Sequence, residues 1–172
     1  LVAFLEANEL HKKDFADLIG VTLSYVYSLI DESIPFSSRI STLERIATVM
    51  QEPPSAFPEY KRLEDPPPID PGVAFLKGRQ GVLGLTNLQF FRRFPRSRRL
   101  ELVDMWRGAL PLPLDWHQLR GLAQVLELPV GDLYPHWEDR LRKYLVGGGL
   151  DAQENDALLA AMFAAARKEA CR

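Results

Sequence analysis

A chain of 172 residues has room for one domain or two small ones and can bury about two-thirds of its unfolded surface. Its 47% hydrophobic and 26% charged residues sit near globular averages, which excludes wholesale disorder and a collagen-like or low-complexity chain. The formal net charge is only −2, no run approaches the length of an apolar membrane span, and the one cysteine, Cys171, excludes an internal disulfide, a multi-cysteine zinc site and an iron–sulfur cluster.

Apolar residues at helical spacing mark four helices in the first third of the chain. Leu1, Phe4, Leu5 and Leu10 belong to the first, Phe15, Ala16, Leu18 and Ile19 to the second, Val26, Leu29 and Ile30 to the third, and Leu43, Ile46, Ala47 and Met50 to the fourth. Gly20 follows the second helix where positive φ is wanted, and Thr22 stands ready to cap the third. Residues 61–72 form a proline-rich linker, in which Pro66, Pro67 and Pro68 favour an extended, semi-rigid spacer. Thr86 to Phe94 then reads as a helix, Pro95 as a turn, Ser97 as the cap of a helix over Arg98 to Met105, and Trp137 to Val146 as a further helix. Gly147 to Gly149 break that helix, and Asp151 with Glu154 makes a capping-box-like start for a last helix running to about Glu169. No strand pattern of useful length appears, so the expected class is all-α.

The elements repeat. Leu43-Glu-Arg-Ile-Ala-Thr-Val-Met50 aligns with Leu119-Arg-Gly-Leu-Ala-Gln-Val-Leu126 at an offset of 76, as do Ile34-Pro35-Phe36 with Leu110-Pro111-Leu112, while Val2 to Leu5 recurs as Val73 to Leu76 at an offset of 71. Two related units of about 60 residues are therefore expected, over 1–60 and 73–137, followed by C-terminal helices over 138–172. Charge is unevenly shared. Residues 1–60 carry 4 Lys/Arg against 9 Asp/Glu, whereas residues 73–137 carry 9 against 5, five of them clustered as Arg92, Arg93, Arg96, Arg98 and Arg99.

Short helix, glycine turn, threonine cap, short helix is the layout of a DNA-binding helix-turn-helix. His11 to Ile30 followed by Leu43 to Met50 resembles the phage-repressor (Cro-like, xenobiotic-response-element type) family, with Ala16 in helix two, Gly20 in the turn, Val26 in helix three, Pro35 in the following loop and the Leu43, Ile46, Ala47 pattern in helix four. The resemblance covers residues 1–58. It implies a sequence-specific transcriptional regulator on double-stranded DNA, with Thr22, Leu23, Ser24 and Ser28 towards bases, Tyr25 beside them, and Lys12 and Arg39 near phosphates. The second unit is similar but degenerate, since Pro95 stands where the turn glycine would be. Its arginines and Ser97 fall on the turn and the first residues of helix three, the face such domains present to DNA, and phosphate neutralisation is their expected role.

The alternative is a protein-interaction module of antitoxin or inhibitor type, whose acidic first unit grips a basic partner; Asp14, Asp17, Asp31 and Glu32 ringing helix three would favour it. Catalysis is not expected: His11, His117 and His136 have no metal-ligand spacing, and Gly147 to Gly149 lacks the Lys-Ser/Thr of a phosphate loop. Nor is a cofactor or metal. Leu158, Leu159, Met162 and Phe163, continued by Ala166, form a stripe that wants cover from the chain's own core or from a second copy, and a homodimer is the expectation. Trp106, Trp116 and Trp137 are assigned to the core. A reducing, cytoplasmic setting is expected, and with Leu1 first a signal peptide is unseen rather than excluded.

Overall fold

The computed structural model describes residues 1–31, 39–61, 68–149 and 156–170. Among these the chain is all-helical: α1 (Val2–Ala7), α2 (Lys12–Ile19), α3 (Leu23–Ile30), α4 (Ile40–Met50), α5 (Pro71–Val82), α6 (Asn87–Arg92), α7 (Arg96–Trp106), α8 (Trp116–Val125), α9 (Tyr134–Gly147) and α10 (Asp156–Ala170), with short 3-10 turns at Pro54–Ala56 and Val130–Leu133. No helix among the described residues is long and apolar enough to cross a membrane. The Ile34-Pro35-Phe36 segment, Glu32, Pro66, Pro67 and the Asp151 to Glu154 cap lie outside the described residues.

Several helix ends differ from the sequence reading, each for a local reason. α1 stops at Ala7 because Glu9 takes a φ of 47° and the Leu10 N–H turns back to Leu5 O at 2.9 Å, so Leu10 is buried beyond the helix and not in it. α5 opens at Pro71, inside the expected linker, with Asp70 Oδ1 accepting the N–H groups of Gly72 at 2.9 Å and Val73 at 3.3 Å. α7 starts at Arg96 with Pro95 as its N-cap, which places Ser97 inside the first turn and not in the capping position. α9 starts at Tyr134 with Pro135 in its first turn, where a missing N–H removes nothing from the helix.

The aligned helices α4 and α8 end alike. Gln51 after α4 and Glu127 after α8 take φ of 61° and 53°, and the following residues close the two helices alike, Glu52 N–H on Ala47 O and Leu128 N–H on Ala123 O, both at 2.9 Å. Each helix is then followed by one of the 3-10 turns. Correspondence fails in the middle: Gly20 has φ of 69°, whereas Pro95 is fixed at −56°.

Packing divides the chain along another line. One compact unit contains residues 1–69 and 80–110, and the other residues 70–79 and 111–172, so the division falls inside α5. In the first unit α2 packs against α3, α4 and α7, while α6 and α7 pack against each other and against α4. The cause is the apolar side of the α6–α7 pair: Leu88, Phe90, Phe91, Leu102, Val103, Met105 and Trp106 are all buried. Trp106 stacks on Phe90 with centroids 4.3 Å apart, and its indole N–H donates to Gln80 Oε1 at 2.6 Å. Gln80, itself buried, donates in turn to Leu85 O and Asn87 Oδ1, and Asn87 Nδ2 donates to Thr48 O at 2.6 Å, so this interior amide is satisfied at both ends.

The second unit is built on Leu112, Leu119, Leu126 and Leu133, all fully buried. Arg79, in the last turn of α5, donates to Leu126 O and Glu127 O, the exposed carbonyl end of α8. Trp116, Tyr134, Trp137 and Phe163 form an aromatic cluster, with Trp137 Nε1 donating to Leu114 O at 3.0 Å and the Tyr134 hydroxyl donating to Phe163 O. Leu159 and Phe163 of α10 are buried in this unit, whereas Met162 is 45% exposed; the side chain of Leu158 and that of Ala166 are outside the description. Two residues of the C-terminal stripe thus have their cover within their own unit. Trp106 is core as expected, and Trp116 and Trp137 are half-buried.

Candidate functional site

The surface with the most specific geometry is built on α2, the turn after it and α3. Phe15, Ala16, Leu18 and Ile19 fix α2 in the core, and Gly20 ends it in the left-handed region. An added Cβ at Gly20 would lie 2.8 Å from Leu100 Cδ1, so this residue is needed for its backbone angle and for the close approach of α7. Val21 N–H bonds Ala16 O, and Thr22 Oγ1 accepts the Tyr25 N–H at 3.2 Å, which sets the start of α3. Val26 then anchors α3 from its inner side, fully buried.

The outer side of α3 presents Leu23, Ser24 and Tyr27, of which Leu23 is 39% and Tyr27 is 53% exposed. Lys12 Nζ lies 4.8 Å from the Tyr27 ring centroid, a cation–π contact that ties the first turn of α2 to the middle of α3. Thr22 is exposed but its oxygen serves as the cap, and Ser28 is half-buried with its hydroxyl donating to Tyr25 O at 2.8 Å. Tyr25 is half-buried as well. Of the expected base-side residues, Leu23 and Ser24 therefore face outwards, while Thr22 and Ser28 engage the helix's own backbone. Tyr27 escaped the sequence reading, although its place four residues after Leu23 puts both on one face.

Two open grooves flank α3. One, of about 780 Å³, is lined by Val2, Leu5 and Leu10, by His11, Lys12 and Lys13, and by Leu23, Tyr27 and Ile30, with Glu6 and Glu9 also on its wall. The other, of about 610 Å³, brings Thr22 and Tyr25 together with Arg39, Ser41, Thr42 and Arg45. Arg39 is exposed at the N-cap of α4. Lys12 and Arg39 thus stand in different grooves, both bordering α3.

The arginine cluster is held by the first unit. Arg92 donates to Asn8 O at 2.9 Å and Glu9 O at 3.3 Å, Arg96 pairs with Asp14 of α2, Arg98 pairs with Glu101, and Arg99 donates to Phe94 O and Arg92 O. Arg92, Arg93, Arg96 and Ser97 remain exposed, and Arg98 and Arg99 are half-buried. Arg92 and Arg96 consequently lie beside residues 8–14, the approach to α2. The unit as a whole carries 12 Lys/Arg against 13 Asp/Glu, so the acid excess of residues 1–60 is largely offset within it.

Behind this surface, α4 and α7 are clasped by a chain of charges of which only Asp104 and Arg107, three residues apart, have a helical spacing that pairs them. Asp104 accepts from Arg45 at 2.7 and 2.9 Å and from Arg107 at 2.7 Å, Arg107 reaches Glu44 at 2.7 Å, and Glu44 accepts from the Tyr60 hydroxyl at 3.2 Å. Burial would raise the Asp104 pKa, but the hydrogen bonds and charges of Arg45 and Arg107 outweigh it and hold the carboxyl below its ordinary value. Arg45 also donates to Ile19 O, which fastens the clasp to the end of α2. Among the described residues no three His, Cys, Asp or Glu side chains come together in a group that could hold a metal ion.

The chain matches no protein-family model, no characterised protein and no solved structure.

Proposed function

We propose that the chain is a sequence-specific DNA-binding regulator, working in the cytoplasm, in which α2 and α3 act as a helix-turn-helix of phage-repressor type and α3 enters the major groove. The observation that carries this reading is the exposed, uncharged outer face of α3, fixed by the Thr22 cap and by Val26 and bordered by Lys12 on one side and Arg39 on the other. Arg92 and Arg96 support it: each guanidinium has five N–H donors, and the partners shown leave donors over for phosphate beside α2. In this reading the second repeat supplies α6 and α7 as a charged brace for the first, and the arginines act beside α2.

Binding-site selection from random duplex DNA tests the proposal. An enriched sequence, bound with an affinity that falls steeply with salt, is the expected result; recovery of unenriched DNA at every ionic strength refutes it. One observation favours the second reading, a protein-interaction module: Val2, Leu23 and Tyr27 expose large apolar surface around the first groove, with Glu6 and Glu9 on its wall. The charge test divides, since Asp14 is engaged by Arg96 while Asp17 is exposed.

A further inference from the structure

The outer face of α3 has an unusual chemistry for a helix that reads bases. From Thr22 to Ile30 the sequence contains no Arg, Lys, Asn, Gln, Asp or Glu, so the side chains that form two-point hydrogen bonds to guanine or adenine, or accept from cytosine, are all missing. Hydroxyl readers are reduced too, because Thr22 caps the helix and Ser28 bonds Tyr25 O. What the face offers is Leu23 and Tyr27, one turn apart, 39% and 53% exposed, with Ser24 beside them. In the major groove the only methyl group on the four bases is the C5-methyl of thymine.

We infer that α3 recognises DNA chiefly through thymine methyl groups, with Leu23 covering one and Tyr27 a second. The inference rests on the DNA-binding reading above and narrows it to a ligand chemistry. Four residues of helix rise about 6 Å, close to two base-pair steps of about 3.4 Å, so the two thymines stand about two steps apart when the helix follows the groove. Leu23 lies at the first position of α3, where it meets the groove floor; Tyr27 is steadied on its ring by the Lys12 ammonium. Loss of either methyl removes the contact without altering any hydrogen-bonding group on the base.

The test uses the full chain and the best site from random-duplex selection, resynthesised with each thymine replaced in turn by deoxyuridine, which lacks only the methyl. Binding is expected to weaken about fourfold at one or two positions, the worth of one buried carbon each, and to change little elsewhere. Leu23→Ala should bind the thymine and deoxyuridine forms of its position equally, while Tyr27→Phe, which keeps the ring, should retain the wild-type pattern. Both variants alter exposed positions, and their helicity is checked by circular dichroism. A selected site that tolerates deoxyuridine everywhere within twofold overturns methyl recognition and leaves DNA binding standing. Failure of selection to enrich any sequence removes the DNA reading itself, and the inference with it.

Discussion

Gly20 and Leu100 are 80 residues apart in sequence, yet the turn after α2 has its shape only because α7 lies against it. Gly20→Ala introduces two separate penalties. A left-handed residue with a side chain is strained by about 1 to 2 kcal/mol at a φ of 69°. The new Cβ also sits 2.8 and 2.9 Å from the two Leu100 methyl carbons and 3.2 Å from Arg45 Nη1, and overpacking of this kind costs about 1 to 3 kcal/mol. A less flexible unfolded chain returns about 0.4 to 1 kcal/mol, so a net loss of about 1 to 4.5 kcal/mol is expected. Leu100→Ala alone should cost about 1 to 2 kcal/mol, because Leu100 is only half-buried. In the double variant the clash with Leu100 disappears and the φ strain stays, so it should be more stable than the sum of the single losses by about 1 to 2 kcal/mol. Urea unfolding of the four proteins of the cycle measures this directly. Additivity within about 0.5 kcal/mol would refute the packing of α7 against the turn.

Asp104→Asn should destabilise the protein at neutral pH, and its pH dependence has a definite sign. The folded-state pKa of Asp104 is depressed, so the stability it confers is complete above the unfolded value of about 3.9 and is lost as pH falls through the folded value. Urea midpoints of wild type and variant should therefore converge below about pH 4; a gap that stays constant down to pH 2 would show that Asp104 is not the charged partner of Arg45 and Arg107. Arg39→Ala should weaken DNA binding at every sequence and flatten log K against log salt by about 0.9, with the selected sequence unchanged; an unaltered slope places Arg39 off the phosphates. Phe163→Ala, at a position 6% exposed, should destabilise the second unit by about 3 kcal/mol, read by near-ultraviolet dichroism of the Trp116 and Trp137 cluster, and a change under 1 kcal/mol would deny α10 a part in that core.

Helix order was legible because local signals and local structure agree: Gly20 after Ile19, the Thr22 cap and the four apolar sets correspond to α1 to α4 apart from their ends. The likeness between the ends of α4 and α8 was legible for the same reason, since positive φ at Gln51 and Glu127 depends on backbone around each helix end. On α3, Leu23 and Ser24 at the start of the helix are exposed, as a helix whose inner side is Val26 requires. Thr22 and Ser28 could not be judged, because a hydroxyl's partner depends on which rotamer the folded helix selects. Helix ends at Pro71, Pro95 and Pro135 were misjudged because proline serves equally well in a linker, a turn or a first helical turn.

Packing partners are a different kind of information. The apolar stripe of α7 says that Leu102, Val103 and Trp106 must be covered, but not by which helices, and a repeat invites the assumption that each copy closes on itself. The arginines carry the same ambiguity in electrostatic form. Five clustered positive charges in one segment and an acid excess in another can be read as two surfaces with two ligands, or as two halves that attract each other. The Arg96–Asp14 pair and the bonds from Arg92 to Asn8 O and Glu9 O supply the attraction, so part of the cluster's charge is answered within the unit. On the proposed DNA-binding function, phosphate contact at Arg96 would compete with an internal partner, and at Arg92 it would add to carbonyl bonds. Arg96 should for that reason contribute less to the salt dependence of binding than Arg39, whose exposed side chain makes no cap hydrogen bond at the start of α4.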